Sequence, residues 1–241
     1  MKQLLFAMLL FLLLSGNASA QQTQNNTKEK VKWILSVNGG YGTRTARLDP
    51  EVPSGLKEHI RKLRTGPVLQ LEAGIKASNA HAFTLSFSSL MMQNNNHVYA
   101  QSSVVQTPGG PTTVLTTNRI STNDRINVIT ANWVSFSSLN PNQTVFLTSK
   151  LGMGIASYRS DNSIQVINFG TTGFELNGTG FAILGGLGLD IKLSKSLFLS
   201  LNGELTTASA KLKSGNEASS PADEKEGLSN LNFTGGLRLV L

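Results

Sequence analysis

Residues 180–205 read GFAILGGLGLDIKLSKSLFLSLNGEL, and this stretch decides between two folds. The cluster Gly185-Gly186-Leu187-Gly188 invites comparison with a glycine-rich loop that holds a phosphate. Such a loop needs a helix directly after the glycines, with a period of 3.6 residues. Here every second residue from Phe181 to Leu193 is apolar or glycine, so a period of two continues through the cluster. The pattern therefore predicts a β-strand, a turn at 194–196 and a second strand from Leu197.

The same alternation recurs along most of the sequence. It predicts eight strands, at 33–41, 69–77, 83–91, 125–137, 145–155, 181–193, 197–206 and 231–241. The fourth strand has an ambiguous phase, because two apolar sets compete for one face: Ile126, Val128, Val134 and Phe136 against Ile129, Ala131 and Trp133. A bulge whose position the sequence does not reveal would reconcile the two sets.

The connections between these strands alternate in length. Short ones are predicted at 78–81, 139–143 and 194–196, and long ones at 44–66, 93–124, 158–180 and 208–229. In an up-and-down meander this order places every long loop on one rim. The short turns and both ends of the chain then share the other rim.

The two faces of the strands differ in a way that indicates a membrane. One face is apolar, and the other carries mainly Ser, Thr, Asn and Gly with few charges; only 15% of the chain is charged, against about 25% in soluble domains. Strands of this length can cross a bilayer if the sheet closes on itself. The sequence predicts an all-β fold, an eight-stranded antiparallel up-and-down transmembrane β-barrel. The sparse charges are then expected to form a network in the lumen: Glu72, Lys76, Lys150, Asp190, Glu204 and Arg238.

The N-terminus predicts export. A positive start at Lys2, an apolar run over 4–14 and the small residues Ala18-Ser19-Ala20 together indicate a signal peptide over 1–20. We expect a flexible lead at 21–31 and the barrel domain over 32–241. The chain contains no cysteine, so neither disulfides nor lipid attached to a cysteine can contribute.

With this architecture and the terminal strand LNFTGGLRLVL at 231–241, the sequence resembles the small outer-membrane β-barrels of the OmpA membrane domain and OmpX type. It is also similar to the porin-like outer-membrane β-barrel proteins of the Bacteroidetes. The resemblance covers 32–241 and implies an integral protein of a Gram-negative outer membrane, with the long loops outside. Many such barrels end on an aromatic residue, whereas Leu241 stands here.

Catalytic and metal-binding patterns are weak. Some small barrels of this kind are hydrolases or acyltransferases that use a His and a Ser on the outer rim. The three histidines are His59, His81 and His97, and none has a motif spacing to a serine, so we interpret them as solvated loop residues. No set of metal ligands is recognisable. We therefore predict no enzymatic activity, no metal and no cofactor.

Two of the long loops have features of their own. The first is basic and is predicted to contain a short helix over 56–63; Arg44, Arg47, Arg61, Lys62 and Arg64 are candidate contacts for lipopolysaccharide phosphates. A solvated loop without a fixed partner is the simpler interpretation. The second loop has Pro108-Gly109-Gly110-Pro111 at its centre, which predicts the tip of a projecting two-stranded ribbon. Such a ribbon can bind a partner by edge pairing, or it can have no partner.

We therefore predict a structural or interaction scaffold whose lumen is plugged by side chains. The alternatives are a narrow porin-like channel, and a soluble exported barrel that binds an apolar ligand inside. The expected partners are outer-membrane lipid, lipopolysaccharide and an extracellular or envelope protein that contacts the loops. Nucleic acid is not expected for an exported chain, although the net charge is +7.

Overall fold

The computed structural model describes residues 32–45, 54–108, 110–166, 170–214 and 225–241. The elements in these residues are β1 (Lys32–Arg44), α1 (Ser54–Lys62), β2 (Thr65–Lys76), β3 (His81–Thr107), β4 (Gly110–Ser138), β5 (Val145–Val166), β6 (Gly170–Lys192), β7 (Leu197–Ser214), β8 (Lys225–Gly227) and β9 (Asn230–Val240). In the described part of the chain, no helix is long and apolar enough to cross a membrane. The predicted signal peptide and the lead at 21–31 lie outside the described residues.

Eight of the strands close into an antiparallel ring. The order around the ring is β6-β5-β4-β3-β2-β1-β9-β7, and β7 pairs with β6 to complete it. The first and last strands of the ring meet along their length, from Ile34 opposite Val240 to Arg44 opposite Asn230. The short strand β8 pairs with the end of β7 beyond the ring. The predicted eight-stranded barrel is confirmed.

The two ends of the barrel differ. The turns at 77–80, 139–144 and 193–196 lie at one end, which we call the turn end; the opposite end is the loop end. The predicted long loop at 158–180 is wrong, because β5 extends to Val166 and β6 starts at Gly170. At 93–124 the predicted two-stranded ribbon is present, but it continues the wall strands directly, since β3 runs to Thr107 and β4 starts at Gly110. Alternation of apolar and polar residues marks only the part of a strand that contacts lipid, and backbone pairing continues beyond it without that alternation. The ribbon tip is confirmed, since Thr107 pairs with Gly110.

An apolar belt surrounds the barrel on its outward face. Its most exposed side chains are Trp33, Val37, Tyr41, Leu85, Met153, Ile155, Phe181 and Phe233, each at least 58% exposed. An apolar surface of this extent is unfavourable in water and fits the hydrocarbon of a bilayer. The closed ring pairs the backbone groups of the belt, as a span through lipid requires.

The structure shows which apolar residues of β4 face the lumen, a question that the sequence left open. This strand alternates strictly, with Ile126, Val128 and Val134 buried inside and Ile129 and Trp133 about half exposed outside. The proposed bulge in this strand is wrong; the register shift lies in β3, between Asn94 and His97. Both apolar sets occur in one strand because the lumen is apolar at its two ends and polar only between them.

Inward glycines make room for asparagine side chains on the neighbouring strand. At four cross-strand pairs, a Cβ on the glycine would collide with the amide oxygen of the opposite asparagine. The pairs are Gly42–Asn232, Gly152–Asn132, Gly188–Asn202 and Gly236–Asn38. Gly186 and Gly188 of the quoted stretch thus point into the lumen, as predicted, and Gly186 leaves space for the side chain of Glu204.

Candidate functional site in the lumen and at the mouth

A layer of buried charges crosses the lumen at mid-height. The ammonium of Lys150 lies 2.5 Å from Glu72 Oε2 and 2.7 Å from Glu204 Oε1. The amide nitrogen of Gln70 donates a hydrogen bond of 2.7 Å to the other oxygen of Glu204. One cation from β5 is therefore shared by two carboxylates that come from non-adjacent strands of the ring, β2 and β7.

A second ion pair completes this charged layer. The guanidinium of Arg238 pairs with Asp190, which also accepts a hydrogen bond of 2.6 Å from Ser200 Oγ. The same guanidinium lies 3.9 Å from Glu72, so the two ion pairs are joined. Arg238 is 1% exposed and Asp190 2%, and charges buried to this degree are tolerated only when they are paired.

Lys76, the sixth residue of the predicted network, lies nearer the turn end. Its ammonium is 5.3 Å from the centre of the Phe136 ring, and the guanidinium of Arg238 is 5.6 Å from the same ring. Phe136 packs against a small apolar cluster of Ile34, Ala82 and Val134, together with Val240, which we call the lower layer. Lys76 thus contacts the aromatic side of the lower layer.

Above the charged layer the lumen is apolar. This upper layer comprises Leu63, Val68, Leu90, Met92, Ile126, Val128, Ala156, Tyr158, Ala182, Ala208, Ala210 and Leu228. Two of its members do not come from the ring: Leu63 follows α1 and is 7% exposed, and Leu228 follows β8 and is 0% exposed. The small alanines of β5, β6 and β7 leave the width that these two side chains fill. The segments at the loop end are therefore anchored inside the barrel.

His59 of α1 is held at the mouth of the barrel. It is 2% exposed, and its ring nitrogens lie 2.8 Å from Asn94 Nδ2 and 2.9 Å from Thr122 Oγ1. The interpretation of His59 as a solvated residue is wrong, because the helix packs this face against β3. Desolvation, with help from the nearby His97 ring and Lys62, lowers the pKa of His59 to about 4.

A directed chain of hydrogen bonds starts at His59. Thr122 Oγ1 donates to Asn162 Oδ1 at 2.7 Å, Asn162 Nδ2 donates to Ser160 Oγ at 2.7 Å, and Ser160 Oγ donates to Asp124 Oδ1 at 2.6 Å. Since the Thr122 hydroxyl hydrogen is used for Asn162, the hydrogen between His59 and Thr122 belongs to His59 Nε2. The neutral tautomer then accepts from Asn94 at Nδ1, and this assignment follows from the network.

The chain ends on Arg44, which closes the other side of the mouth. The guanidinium lies 3.9 Å from Asp124, pairs with Glu226, and donates to the backbone oxygen of Gly227 at 2.9 Å. It also lies 5.4 Å from the centre of the Tyr158 ring. Arg44 therefore connects β1 to β8, and the hydrogen-bond chain links both segments that cover the mouth, α1 and β8.

This geometry bears on the question of catalysis. A histidine within hydrogen-bond reach of a threonine hydroxyl resembles a base and its nucleophile. Here Thr122 is 4% exposed and donates its hydrogen to Asn162, so its oxygen is neither accessible nor activated by His59. His81 lies at the turn end, 3.2 Å from Ser135 Oγ, and His97 lies on β3 beside Tyr99, not in a loop. Among the described residues, no three His, Cys, Asp or Glu side chains group around a possible metal position.

The candidate lipopolysaccharide contacts do not form one site. Arg44 points into the mouth, and Arg47 lies outside the described residues. Arg61 and Lys62 are exposed on α1, a helix that the sequence predicted within one or two residues. Lys62 pairs with Glu58 at 3.2 Å and lowers the pKa of that carboxyl. Arg64 is half-buried, and its carbonyl accepts a hydrogen bond of 2.7 Å from the Arg44 amide.

Some residues of these sites were missed by sequence reasoning. Gln70 and Ser200 lie on the inward faces of predicted strands, so their alternation with apolar neighbours was a usable signal. The contact between His59 and Thr122 joins residues 63 positions apart, in a helix and in a segment predicted to be a loop. No local pattern encodes a contact of this kind.

Comparisons with known proteins show which solved structures share this fold. No protein-family model matches the sequence, and no curated protein matches it. A major outer membrane protein from Thermus thermophilus superposes with a TM-score of 0.51 at 8% identity, over 88% of this chain and 100% of that chain. Ail, the attachment invasion locus protein of Yersinia pestis, gives a TM-score of 0.41 at 12% identity, over 88% of this chain and 97% of that chain. The outer membrane protein OprG from Pseudomonas aeruginosa gives 0.44 at 10% identity, over 87% and 95%.

The likeness to the Thermus thermophilus protein shows the fold, and this fold agrees with the apolar belt. A closed barrel with lipid-facing side chains, short turns at one end and longer segments at the other is the architecture of bacterial outer membranes. The chain has the fold of the bacterial outer-membrane β-barrels, and its closed ring with an apolar outward belt has the features of a barrel that spans a membrane.

Proposed function

We propose that this protein is a closed outer-membrane scaffold that presents a projecting β-ribbon for interaction with other proteins. The observation that carries the closed state is the stacking of three layers across the lumen. The lower layer is apolar, the charged layer joins five strands by ion pairs, and the upper layer is filled by Leu63 and Leu228. We assign it no catalytic role, because the one histidine–hydroxyl pair of the described mouth is buried.

The charged layer supports a closed lumen for an energetic reason. The carboxylates of Glu72 and Glu204 both lie within 2.7 Å of the Lys150 ammonium, and all three side chains are nearly fully buried. Opening a water-filled path through this layer would require these side chains to separate. Separating a buried pair leaves uncompensated charge, at a cost of about 3–5 kcal/mol.

Conductance in planar lipid bilayers tests the closed state. We expect the purified wild-type chain to insert without stable open steps, at low and at high voltage. Stable, long-lived open steps would establish the alternative of a narrow channel and contradict the scaffold. Recovery of the chain in a periplasmic extract, with no heat-dependent shift on a denaturing gel, would instead indicate the soluble barrel with an apolar ligand.

The ribbon supports an interaction role. It consists of residues 98–107 of β3 and 110–119 of β4, paired with each other from Val98 opposite Arg119 to the tip. Among the described residues, β2 pairs with β3 only up to Leu90, and β5 pairs with β4 only as far as Asn118. The ribbon therefore has backbone hydrogen-bonding groups along both edges.

The composition of the ribbon favours edge pairing. The ribbon has one charged residue, Arg119 at its base, and residues 98–118 contain no Asp, Glu, Lys or Arg. Proteins usually protect exposed edges with charged side chains, proline or bulges. Here the bulge at Asn94 lies below the ribbon, and the prolines are confined to the tip, at 108 and 111. An extended, uncharged strand of another protein is the partner that such an edge fits.

A synthetic peptide tests this role without knowledge of the natural partner. We expect a labelled peptide with the sequence of residues 98–107, VYAQSSVVQT, to bind the full chain by fluorescence anisotropy. The control variant replaces 98–119 with an Asn-Gly turn between His97 and Ile120, which are cross-strand partners. Equal binding to the wild type and the control, or no binding to either, would contradict the interaction role.

A further inference from the structure

The turn end of the barrel carries an excess of cations over carboxylates. Among the described residues, no Asp or Glu side chain lies closer to the turn end than Asp190 of the charged layer. Each oxygen of Asp190 already accepts from a protein group, Oδ1 from the Ser200 hydroxyl and Oδ2 from the Arg238 guanidinium. Four lysines lie on the turn side of this layer: Lys32, Lys76, Lys192 and Lys195. The opening between the short turns therefore has a positive potential.

Two of these lysines are directly opposed. Lys32 of β1 pairs in register with Lys76 of β2, where both strands reach the turn end. Cross-strand partners point to the same face of a sheet, so both side chains are on the inward side of the wall. Like charges at such positions destabilise an antiparallel pair. A bound anion beside the two lysines removes this repulsion.

A small cavity adjoins Lys76 inside the opening. It measures about 30 Å³, which is room for about two waters. A carboxylate group, with its two oxygens, is of similar size. The charged residues in the cavity wall are Lys76, Arg238 and Asp190, and the wall also contains the rings of Phe136, Phe146 and Phe198. All three rings are partly exposed, so a ligand reaches the cavity from the turn end.

The guanidinium of Arg238 has donor capacity that the protein does not use. Its side chain is 1% exposed, and its Nε donates to no group among the described residues. Its Nη1 pairs with Asp190, whereas its Nη2 lies 3.9 Å from Glu72, beyond hydrogen-bond distance. Arginine binds carboxylates most strongly through two parallel N–H donors. A second carboxylate beside Arg238 is therefore a better complement to this side chain than Asp190 alone.

The aromatic wall determines which anions suit the cavity. The rings of Phe146 and Phe198 meet edge to face, with their centres 6.0 Å apart. The ring of Phe136 has its centre 5.3 Å from the Lys76 ammonium and 5.6 Å from the Arg238 guanidinium. Apolar rings lower the local dielectric constant, which strengthens the attraction between a cation and an anion. They also offer stacking and edge contacts to an apolar or aromatic substituent of the ligand.

We propose that the turn-end cavity binds a small monocarboxylate with an apolar or aromatic substituent. The carboxylate lies between Lys76 and Arg238, and Lys32 adds positive charge at the opening. The substituent lies against the three phenylalanine rings. Short turns face the periplasm in outer-membrane barrels, so the ligand comes from that side. The site depends neither on the ribbon nor on the segments that cover the mouth.

Competition with a fluorinated ligand tests the proposal. The full chain in zwitterionic detergent is titrated with para-fluorobenzoate and followed by fluorine NMR, with protein-free micelles as the blank. We expect saturable broadening of the fluorine signal that unlabelled benzoate reverses. Benzamide has the same shape without the charge and should not compete. Acetate has the charge without the ring, and we expect it to compete about tenfold more weakly than benzoate.

Two matched substitutions at the same end show whether the cavity is the site. Lys76→Gln and Lys195→Gln each remove one positive charge, but only Lys76 lines the cavity. A hydrogen bond to a charged group corresponds to a factor of about ten to a hundred in affinity. We therefore expect Lys76→Gln to bind para-fluorobenzoate at least about tenfold more weakly, and Lys195→Gln to stay within about twofold of the wild type. Lys76→Arg keeps the charge and should retain most of the affinity.

The outcomes that would overturn the proposal are distinct. Absence of saturable binding to the wild type, equal losses in Lys76→Gln and Lys195→Gln, or competition by benzamide would each contradict it. Competition by inorganic phosphate or chloride as strong as that by benzoate would show a general anion site instead of one for monocarboxylates. A heat-dependent gel shift checks folding. If Lys76→Gln does not fold, Phe198→Leu keeps all charges, and it should reduce the preference for benzoate over acetate by about threefold.

Discussion

The charged layer and the upper layer of the lumen lie next to each other and are built in opposite ways. In the charged layer, long polar side chains from ring strands meet each other, as Lys150 meets Glu72 and Glu204. In the upper layer, apolar side chains of the ring strands, from alanines to Met92 and Tyr158, pack together with Leu63 and Leu228 from outside the ring. The first layer fixes the ring itself, whereas the second fixes the segments that cover its mouth.

This difference separates two kinds of stability. Loss of a group from the charged layer leaves a buried charge that no rearrangement of a loop can solvate, so the whole barrel is affected. Loss of a group from the upper layer loosens the hold on α1 and β8 while the ring stays closed. The following substitutions test this contrast, beginning with the largest expected effect.

Removal of the shared cation should have the largest effect. Lys150→Met leaves Glu72 and Glu204 buried without their common partner, and we expect a loss of about 3–5 kcal/mol in the free energy of unfolding. Urea unfolding in detergent, followed by the loss of heat-dependent gel mobility, measures it. Lys192→Met, at an exposed position near the turn end, is the matched control and should change little. Equal midpoints for the two variants would show that the charged layer does not stabilise the ring.

Truncation in the upper layer should act locally. Leu63→Ala removes a nearly buried side chain that anchors the end of α1. We expect the free energy of local opening of α1 to fall by about 2 kcal/mol, and the unfolding midpoint of the barrel to stay unchanged. The rate of tryptic cleavage at Lys57, Arg61 and Lys62 reports the opening. Leu139→Ala, at an exposed turn residue, serves as the control. If Leu63→Ala lowers the global midpoint as much as Lys150→Met does, the two layers are not separable.

Two glycine-to-alanine substitutions on neighbouring strands compare the space for a side chain in the lumen with that on the lipid face. In Gly188→Ala the new methyl group collides with Asn202 and lies 2.6 Å from Thr148 Oγ1, so we expect a loss of about 1–3 kcal/mol in unfolding free energy. In Gly203→Ala the nearest atom is 3.5 Å away on the Phe233 ring, which is ordinary contact, and little change is expected. Urea midpoints of both variants provide the measurement. A larger loss at Gly203 would mean that the belt, and not the lumen, limits side-chain volume.

Lowering the pH should weaken the docking of α1 on the barrel, and we expect this effect to be the smallest of the four and to develop gradually. The pKa of the His59 ring is about 4 when α1 is docked, against 6.5 for an unperturbed histidine. The undocked helix therefore binds a proton more readily than the docked one. Docking is strongest above pH 6.5 and weakens as the pH falls towards 4. Besides burial, the charges of His97 on β3 and Lys62 on α1 disfavour the protonated His59 ring, and Glu58 pairs with Lys62. Between pH 7.5 and 5.5 only part of this loss develops.

A single label makes the acid effect measurable. The chain has no cysteine, so Lys57→Cys gives one site on α1 for a fluorophore whose mobility reports docking. We expect mobility to rise as the pH falls, and His59→Gln, which keeps hydrogen bonds to Asn94 and Thr122 without titrating, to abolish the rise. A pH dependence that persists in His59→Gln would assign it to another group, such as His97.

Much of the barrel was predictable because its main constraint is periodic. Phe181, Ile183 and Leu187 had to be outward once a bilayer was inferred, and their exposure of 50–60% agrees with this. The phase of β4 was not predictable, because Ile126 and Trp133 are both apolar and only the layered lumen tells them apart. The contacts at the mouth could not be predicted from the sequence, for a related reason. Arg44 appears as a surface cation in the sequence, but its partners Asp124 and Glu226 come from strands that only the closed ring brings close.

Periodicity along the chain predicts the closed wall: the number of strands in the ring, their outward face and the end at which the turns lie, because lipid imposes a period of two and a closed hydrogen-bond ring on any spanning sheet. The side chains that fill and cover this wall become evident only in the folded barrel. Gly236 opposite Asn38, Lys150 between two carboxylates, and His59 against Thr122 are contacts between residues far apart in the sequence, which only the closed ring brings together. Residues 180–205 form one hairpin of the wall, in which the inward glycines leave space for side chains of the second strand, Gly186 for Glu204 and Gly188 for Asn202.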